Sequence, residues 1–233
     1  MTSPVPVSVI IPCLDEAGEI AATLSGLVAM RQRGGEVIVV DGGSSDHTVL
    51  AARSRADLVL TAPSGRARQM NAGAAQARGD VLLFLHADSQ LPERADELII
   101  AQLAAKGRHW GRFDVEISGH HPLFRMIAGA INLRSRWSGI ATGDQAIFVT
   151  RSMFERVGGF PEIPLMEDVA LTKTLKRHGP PLCLPQRVIT SGRRWEKHGV
   201  LRTIILMWQL RVAYWLGVDP HTLASRYAPH RHS

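Results

Sequence analysis

The sequence predicts an α/β protein: a mostly parallel, twisted sheet flanked by helices, followed by a C-terminal helix. Two observations carry this. Short apolar runs alternate with helical segments through the first half of the chain. The runs also stop abruptly on acids or turn residues, as Val81-Leu82-Leu83-Phe84-Leu85 stops on His86-Ala87-Asp88. Such a run fits a strand buried on both faces. A charged Asp cannot extend it without a large desolvation cost. His86 and Asp88 therefore fall at its carboxyl end, on one side, the edge where open α/β sheets bind ligands.

The elements follow in order. Val7–Ile11 reads as a strand ended by Pro12, and a helix is expected over Glu16–Ala29. Val37–Val40 is a second strand, ended by Asp41-Gly42-Gly43, with Ser44-Ser45-Asp46 as N-cap chemistry for a helix over His47–Arg53. Leu58–Leu60 is a short strand. Arg66–Ala77 carries small residues at helical spacing, and after the strand at 81–85 Leu91-Pro92-Glu93 opens a helix to Ala105. The second half is less regular. It offers an alternating strand over Arg112–Ile117, a helix over Pro122–Arg136, a strand over Ala146–Thr150 and a short helix to Val157. Gly158-Gly159-Phe160-Pro161 is a turn, Glu167–His178 a helix, Gln186–Thr190 a late strand and Val200–Gly217 a long apolar helix interrupted by Arg202, Gln209 and Arg211.

Composition narrows the function. The chain has 233 residues, 45% of them hydrophobic, enough for one sizeable domain. Its net charge of +6 favours anionic partners. Without a Lys/Arg run or a nucleic-acid motif, phosphorylated substrates and anionic membrane surfaces rank ahead of nucleic acid. Cys13 and Cys183 follow no metal or redox spacing and are expected as reduced, buried thiols. No signal peptide and no bilayer-spanning apolar stretch is recognised, so a cytoplasmic location is expected.

Several residues carry candidate chemistry. His86 and Asp88 suit a divalent cation that holds a phosphate. Asp41, beside a sharp Gly42-Gly43 turn, can accept hydrogen bonds from a nucleobase or cap the next helix. Asp15-Glu16 ends the first strand at the same edge, with the helix dipole as the competing explanation. Arg66, Arg68, Gln69 and Asn71 open a helix whose N-terminus can face a diphosphate, with Arg68 favoured over Arg66. Glu167-Asp168 starts a helix after a loop, where one acid can act as general base and its neighbour turns away. Gly143-Asp144-Gln145 is a turn or a pocket rim. Trp137 and Trp195 suit a sugar platform or the core, and Arg193-Arg194 a phosphate clamp or a charged surface. The helix at 200–217 can dock on its own domain, on a second copy or in a membrane interface.

Together these segments resemble the family 2 glycosyltransferases, the inverting nucleotide-sugar enzymes of A-type (Rossmann-like) fold. The resemblance rests on Val9-Ile10-Ile11-Pro12-Cys13-Leu14-Asp15-Glu16, Val37-Ile38-Val39-Val40-Asp41-Gly42-Gly43-Ser44-Ser45-Asp46, Gly79-Asp80 leading to His86-Ala87-Asp88, and Glu167-Asp168. The run Gly143–Phe148 and Arg193-Arg194-Trp195 look most like a short bacterial subgroup associated with radical-SAM/selenodomain proteins.

The resemblance implies one domain over 1–233, with a nucleotide-binding half at 1–110, an acceptor half at 111–198 and a helical appendage at 199–233. It implies donor contacts from Pro12, Asp15, Glu16, Asp41, Gly43, Arg68, Asp88 and Arg193. It implies Mn²⁺ or Mg²⁺ on Asp88 with His86, Asp168 as catalytic base supported by Glu167, and Asp144, Gln145 and Trp195 on the acceptor side. The expected reaction moves one sugar to a hydroxyl acceptor, a small or lipid-linked molecule. The C-terminal helix is expected at a membrane's inner face or in a homodimer. His86 departs from the family, which usually has a carboxylate there, and the Gln-x-x-Arg-Trp motif of processive synthases is missing. A non-catalytic nucleotide-binding regulator is the main alternative. A sugar-phosphate nucleotidyltransferase lacks its Gly-rich loop here, and a dehydrogenase its Gly-x-Gly-x-x-Gly.

Overall fold

The structure is a computed structural model and describes residues 6–227. Its sheet begins with four parallel strands: β1 (Val7–Cys13), β2 (Glu36–Asp41), β3 (Leu58–Thr61) and β4 (Val81–Phe84), in the order β3-β2-β1-β4. The register sets Cys13 beside Asp41 and Ile10 beside Phe84, so their carboxyl ends form one edge. Beyond β4 come β7 (Phe148–Thr150), β6 (Trp110–Ser118), β8 (Leu182–Ser191) and β5 (Ser89–Gln90). β7 runs antiparallel to both β4 and β6, β6 and β8 are parallel, and β5 is antiparallel to β8. The eight-stranded sheet is therefore mixed, with its parallel part at the N-terminal side.

Strand alternation sorts the core into two layers. Val7, Val9, Ile11 and Cys13 face α1 (Ala17–Ser25), α2 (Val28–Gln32) and α5 (Ala95–Lys106), while Ile10 joins Ile38 and Val40 against α4 (Arg66–Gln76), α7 (Arg151–Arg156) and α8 (Glu167–His178). α3 (Thr48–Arg53) connects β2 to β3. α4 lies so close to the sheet that a Cβ on Gly73 would sit 2.6 Å from Ile10 Cγ2. Trp110 is buried at the start of β6, its indole N–H donating to Gly179 O at 2.9 Å.

The second half of the chain forms two further layers. α6 (Leu123–Ser138) packs Phe124, Ile127 and Ile131 on Val115 and Ile117 of β6. After β8 come α9 (Arg193–His198), α10 (Val200–Trp215) and α11 (Pro220–Tyr227). Val200 and Ile204 of α10 reach the α6 cluster, while Leu210, Leu223 and Tyr227 pack with Met166 at the head of α8. Among the described residues no helix is long and apolar enough to cross a membrane.

Three expectations need correction. The helix expected over Glu16–Ala29 is two helices, broken at Gly26-Leu27. Glycine costs a helix most after proline, and the break turns Leu27 and Met30 into the core. Cys183 is half-buried, not buried, because β8 is less covered at its start. β5, α9 and α11 were not anticipated; β5 has only two residues and α9 six, too short for a periodic pattern.

Candidate active site

Loops at the carboxyl ends of β1 and β4, the heads of α4 and α8, and the helices α6, α9 and α10 enclose a cavity of about 850 Å³. Pro12, Asp15, Glu16, His86, Asp88, Asp144, Glu167, Asp168, Arg193 and Trp195, all singled out from sequence, line it. Asp41, Gly43, Arg68 and Gln145 do not.

Each placement has a local cause. Asp41 is buried, and its carboxylate accepts from the Gly43 N–H at 2.9 Å and from Ser44 N–H and Oγ. It shapes the turn after β2, in which Gly43 adopts φ 95°. Asp15 ties the same turn to β1: its Oδ1 accepts from Ser45 N–H at 2.8 Å and its own N–H donates to Ser44 Oγ. Asp46 Oδ1 accepts from Thr48 N–H, supplying the cap expected for α3, and Oδ2 accepts from Ala17 N–H at the head of α1. Gln145 is fully buried and completes a capping box with Thr142.

The two arginines of α4 exchange roles. Arg68 points outward, 52% exposed, and pairs with Glu162 at 3.4 Å. Arg66 lines the cavity. Burial opposes its charge, but the field of Glu167, Tyr227, Asp168 and Asp88 outweighs burial and raises its pKa. Helical spacing explains this: Arg66 lies three and four residues before the buried Gln69 and Met70, whereas Arg68 does not share that face.

Glu167 and Asp168 diverge as adjacent helical residues must. Glu167 is buried, and Asp168 Oδ2 accepts the Gly143 N–H at 2.7 Å. Gly143 has a second neighbour: a Cβ there would lie 2.5 Å from His86 Nε2. His86, Gly143 and Asp168 thus form one stack across the cavity floor. Asp144 Oδ1 is buried with no hydrogen-bond partner among the described residues. From the far wall Arg193 reaches Glu16 at 3.0 Å and Glu19 at 3.3 Å. Burial disfavours its charge, yet the Glu16 hydrogen bond and the field of Glu16, Glu19 and Asp88 raise its pKa. The side chain of Arg194 is not among those described. Of the four non-glycine residues with left-handed backbone among the described residues, Asp15 (φ 53°) and Met166 (φ 68°) line this cavity and Ala146 (φ 46°) lies two residues beyond its Asp144, a distribution typical of functional sites.

The donor set can be tested for a metal. Among the described residues no group of three or more His, Cys, Asp or Glu converges to hold one. A hard divalent ion shared with substrate phosphates needs only one or two protein carboxylates, and Asp88 on the cavity wall fits that role. His86 fits it less directly, since its Nε2 faces the Gly143 backbone.

The family model for "Glycosyl transferase family 2" matches residues 8–157. The chain belongs to glycosyl transferase family 2. It is 31% identical over 173 residues to a "PGL/p-HBAD biosynthesis glycosyltransferase" of Mycobacterium bovis, covering 66% of this chain. The match spans only 62% of that relative's length. Among solved structures, a mannosyltransferase from Pyrobaculum calidifontis in complex with GDP-Man and Mn²⁺ superposes with a TM-score of 0.65 at 23% identity. It covers 97% of this chain and 67% of that one. S. aureus TarS 1-349 in complex with UDP-GlcNAc gives 0.67 at 18% identity, covering 80% and 58%. These likenesses establish the A-type nucleotide-sugar transferase fold for this family 2 chain. The match ends at residue 157, so Glu167, Asp168 and Arg193 lie beyond it.

Proposed function

We infer that this family 2 protein transfers one sugar, with inversion, from a nucleoside-diphosphate sugar to an acceptor hydroxyl. The observation that carries this reading is the convergence of Asp88, Arg66, Arg193 and Asp168 on one cavity at the carboxyl edge of the sheet. In it, residues 1–110 form the donor half, 111–198 the acceptor half and 199–233 a helical appendage. The runs Gly143–Phe148 and Arg193–Trp195 support the radical-SAM/selenodomain-associated subgroup. It works in the cytoplasm, with its C-terminal helix at the inner membrane face.

Asp168 takes the proton of the attacking hydroxyl. The oxygen then bonds to the anomeric carbon as the bond to the diphosphate breaks, and the nucleoside diphosphate leaves with that electron pair. Arg66 and Arg193 face the charge that grows on the leaving group. Mn²⁺ or Mg²⁺, held by Asp88, supplies Lewis-acid neutralisation of that charge when bound. Gly143 holds the base in direction, Glu167 keeps the Arg66 charge in place, and the unbonded Asp144 Oδ1 is an acceptor for a hydroxyl of the incoming substrate. Trp195 on the cavity wall suits a sugar face.

The reading is tested by screening nucleoside diphosphates and their sugars by thermal shift, with and without Mn²⁺. A metal-dependent shift is expected, lost in Asp88→Ala. Asp168→Asn should keep the shift and lose transfer by roughly a hundred- to ten-thousand-fold. Absence of any shift across the panel overturns the reading.

A further inference from the structure

Between α6 and α10 the cavity changes character. Its walls there are apolar, with Ile127 and Ile131 on one side, Leu206 and Met207 on the other, and the exposed Met126 and Trp208 where the cavity opens. Two arginines face into this part. Arg134 sits partly buried with Nε unbonded and only long contacts, 3.5 Å to Ile140 O and 3.4 Å to Thr142 Oγ1. Arg211 lines the same wall, and no hydrogen bond or ion pair engages it among the described residues. Burial and then the neighbouring Arg211 charge push the Arg134 pKa down to about 10, against the pull of Asp144 and Asp168. Two cations that repel one another at an apolar wall, with the repulsion and burial outweighing the pull of Asp144 and Asp168, favour an anionic ligand.

The outer faces of the same two helices are exposed and apolar. On α10, Leu201, Ile205, Trp208, Val212 and Trp215 recur at four- and three-residue spacing, and all are exposed. On α6, Met126, Ala130, Leu133 and Trp137 do the same. Trp137, Trp208 and Trp215 are 85%, 62% and 84% exposed, far beyond what a solvated surface gives indoles. Charge distinguishes the possible occupants. No Asp or Glu occurs from Ile117 to Gly143 or from Lys197 to Val218, while Arg125, Lys197, Arg202 and Arg211 lie in these stretches. A second copy seated on this face would oppose like charge to like. An anionic bilayer complements it, and indoles with flanking arginines are the residues of that interface.

We propose that α6 and α10 seat the protein on an anionic bilayer, so that a membrane-borne acceptor enters between them and places its phosphate on Arg134 and Arg211. This rests on the transferase reading and names its acceptor class: an amphiphile with an anionic head. The apolar wall takes the first part of its tail, and the Asp168 side of the cavity receives its head.

The test uses the full chain with phosphatidylcholine vesicles and with vesicles containing phosphatidylglycerol. Co-sedimentation and a blue shift of tryptophan emission are expected with the anionic vesicles alone, weakening as salt is added. The triple variant Trp137→Ser/Trp208→Ser/Trp215→Ser should lose about tenfold or more in binding and melt as the parent does. Dodecyl phosphate below its micellar concentration should raise the melting temperature where dodecanol does not. Arg134→Gln and, independently, Arg211→Gln should abolish that difference and keep vesicle binding within about fivefold. Equal binding to both vesicles overturns the proposal, as does a dimer lost in the triple variant without vesicle binding. So does a shift by dodecyl phosphate no larger than by dodecanol. None of these readouts uses a sugar nucleotide, so their failure and the failure of donor binding are separate results.

Discussion

The backbone N–H of Gly143 donates to Asp168 Oδ2 at 2.7 Å, and the space where residue 143 would carry a Cβ is taken by His86 Nε2. One turn thus joins the proposed base to the imidazole of His86. At residue 86 an imidazole is compatible with the fold because residue 143 has no side chain.

That relationship predicts a compensating pair. Gly143→Ala forces the His86 ring aside, and overpacking of this kind costs about 1–3 kcal/mol. Transfer should fall more than donor binding, because the Asp168 contact moves with the turn. His86→Ala in the same chain should restore most of both losses. Activity and melting temperature of the two single variants and the double variant measure the coupling.

Arg193 is tied to Glu16 and Glu19 across the cavity mouth, and it is half exposed. Exposed pairs contribute little stability, roughly 0–1 kcal/mol. Arg193→Ala should therefore melt close to the parent. Its KM for the donor should rise about tenfold, the scale of one lost charge-assisted hydrogen bond, with a smaller change in kcat.

Acid should destabilise the protein through Glu36. Burial opposes its ionisation, but hydrogen bonds from Ser8 and Arg78 and the Arg78 charge outweigh burial and lower its pKa. A lowered carboxylate pKa means the unfolded chain binds the proton more readily. The stabilisation is present above the ordinary glutamate value of 4.5 and is lost as pH falls through the lower folded value. Glu36→Gln should reduce stability at neutral pH and flatten its dependence on pH in the acid range, as followed by denaturant melts.

Cys13 should resist alkylation. Its thiol is buried beneath the β1–β2 edge, and burial together with Asp41, Glu16 and Asp46 pushes its pKa up to about 12. Iodoacetamide at mildly alkaline pH should label the half-buried Cys183 first and Cys13 only on unfolding. Peptide mass mapping over time distinguishes the two.

How much of this was legible in the sequence depended on the reach of the interaction. α8 spans Glu167–His178 as expected, because acids at its head, Lys176-Arg177-His178 at its tail and Gly179 beyond it are local signals. The parallel strands were legible for the same reason: a doubly buried strand must be an uninterrupted apolar run. Asp41 ends β2 as the apolar run predicts, but whether its carboxylate faces a ligand or its own turn depends on Ser44, whose rotamer no pattern gives. Arg66 and Arg68 differ by two positions, and the face holding Gln69, Met70 and Gly73 could have chosen between them. Arg134 and Arg211 were out of reach: they stand 77 positions apart in the chain, and nothing in either helix names its neighbour.

The left-handed residues at the cavity have a consequence for anyone who would make this protein sturdier. Asp15, Ala146 and Met166 each hold a backbone conformation that costs side-chain-bearing residues of order 1 kcal/mol or more. Glycine at Ala146 would relieve that strain at the loss of one methyl, and a stability-guided redesign would choose it early; at Asp15 and Met166 glycine would also remove the carboxylate that accepts from Ser45 N–H and the side chain packed on Leu210 and Leu223. Met166 sits immediately before Glu167-Asp168, and Ala146 immediately after the turn that carries Gly143. Relaxing either frees the segments whose fixed direction the proposed chemistry needs. Thermal tolerance and turnover should therefore move in opposite directions in Ala146→Gly, while Gly34 and Gly107, left-handed glycines that do not line the cavity, leave no such conflict.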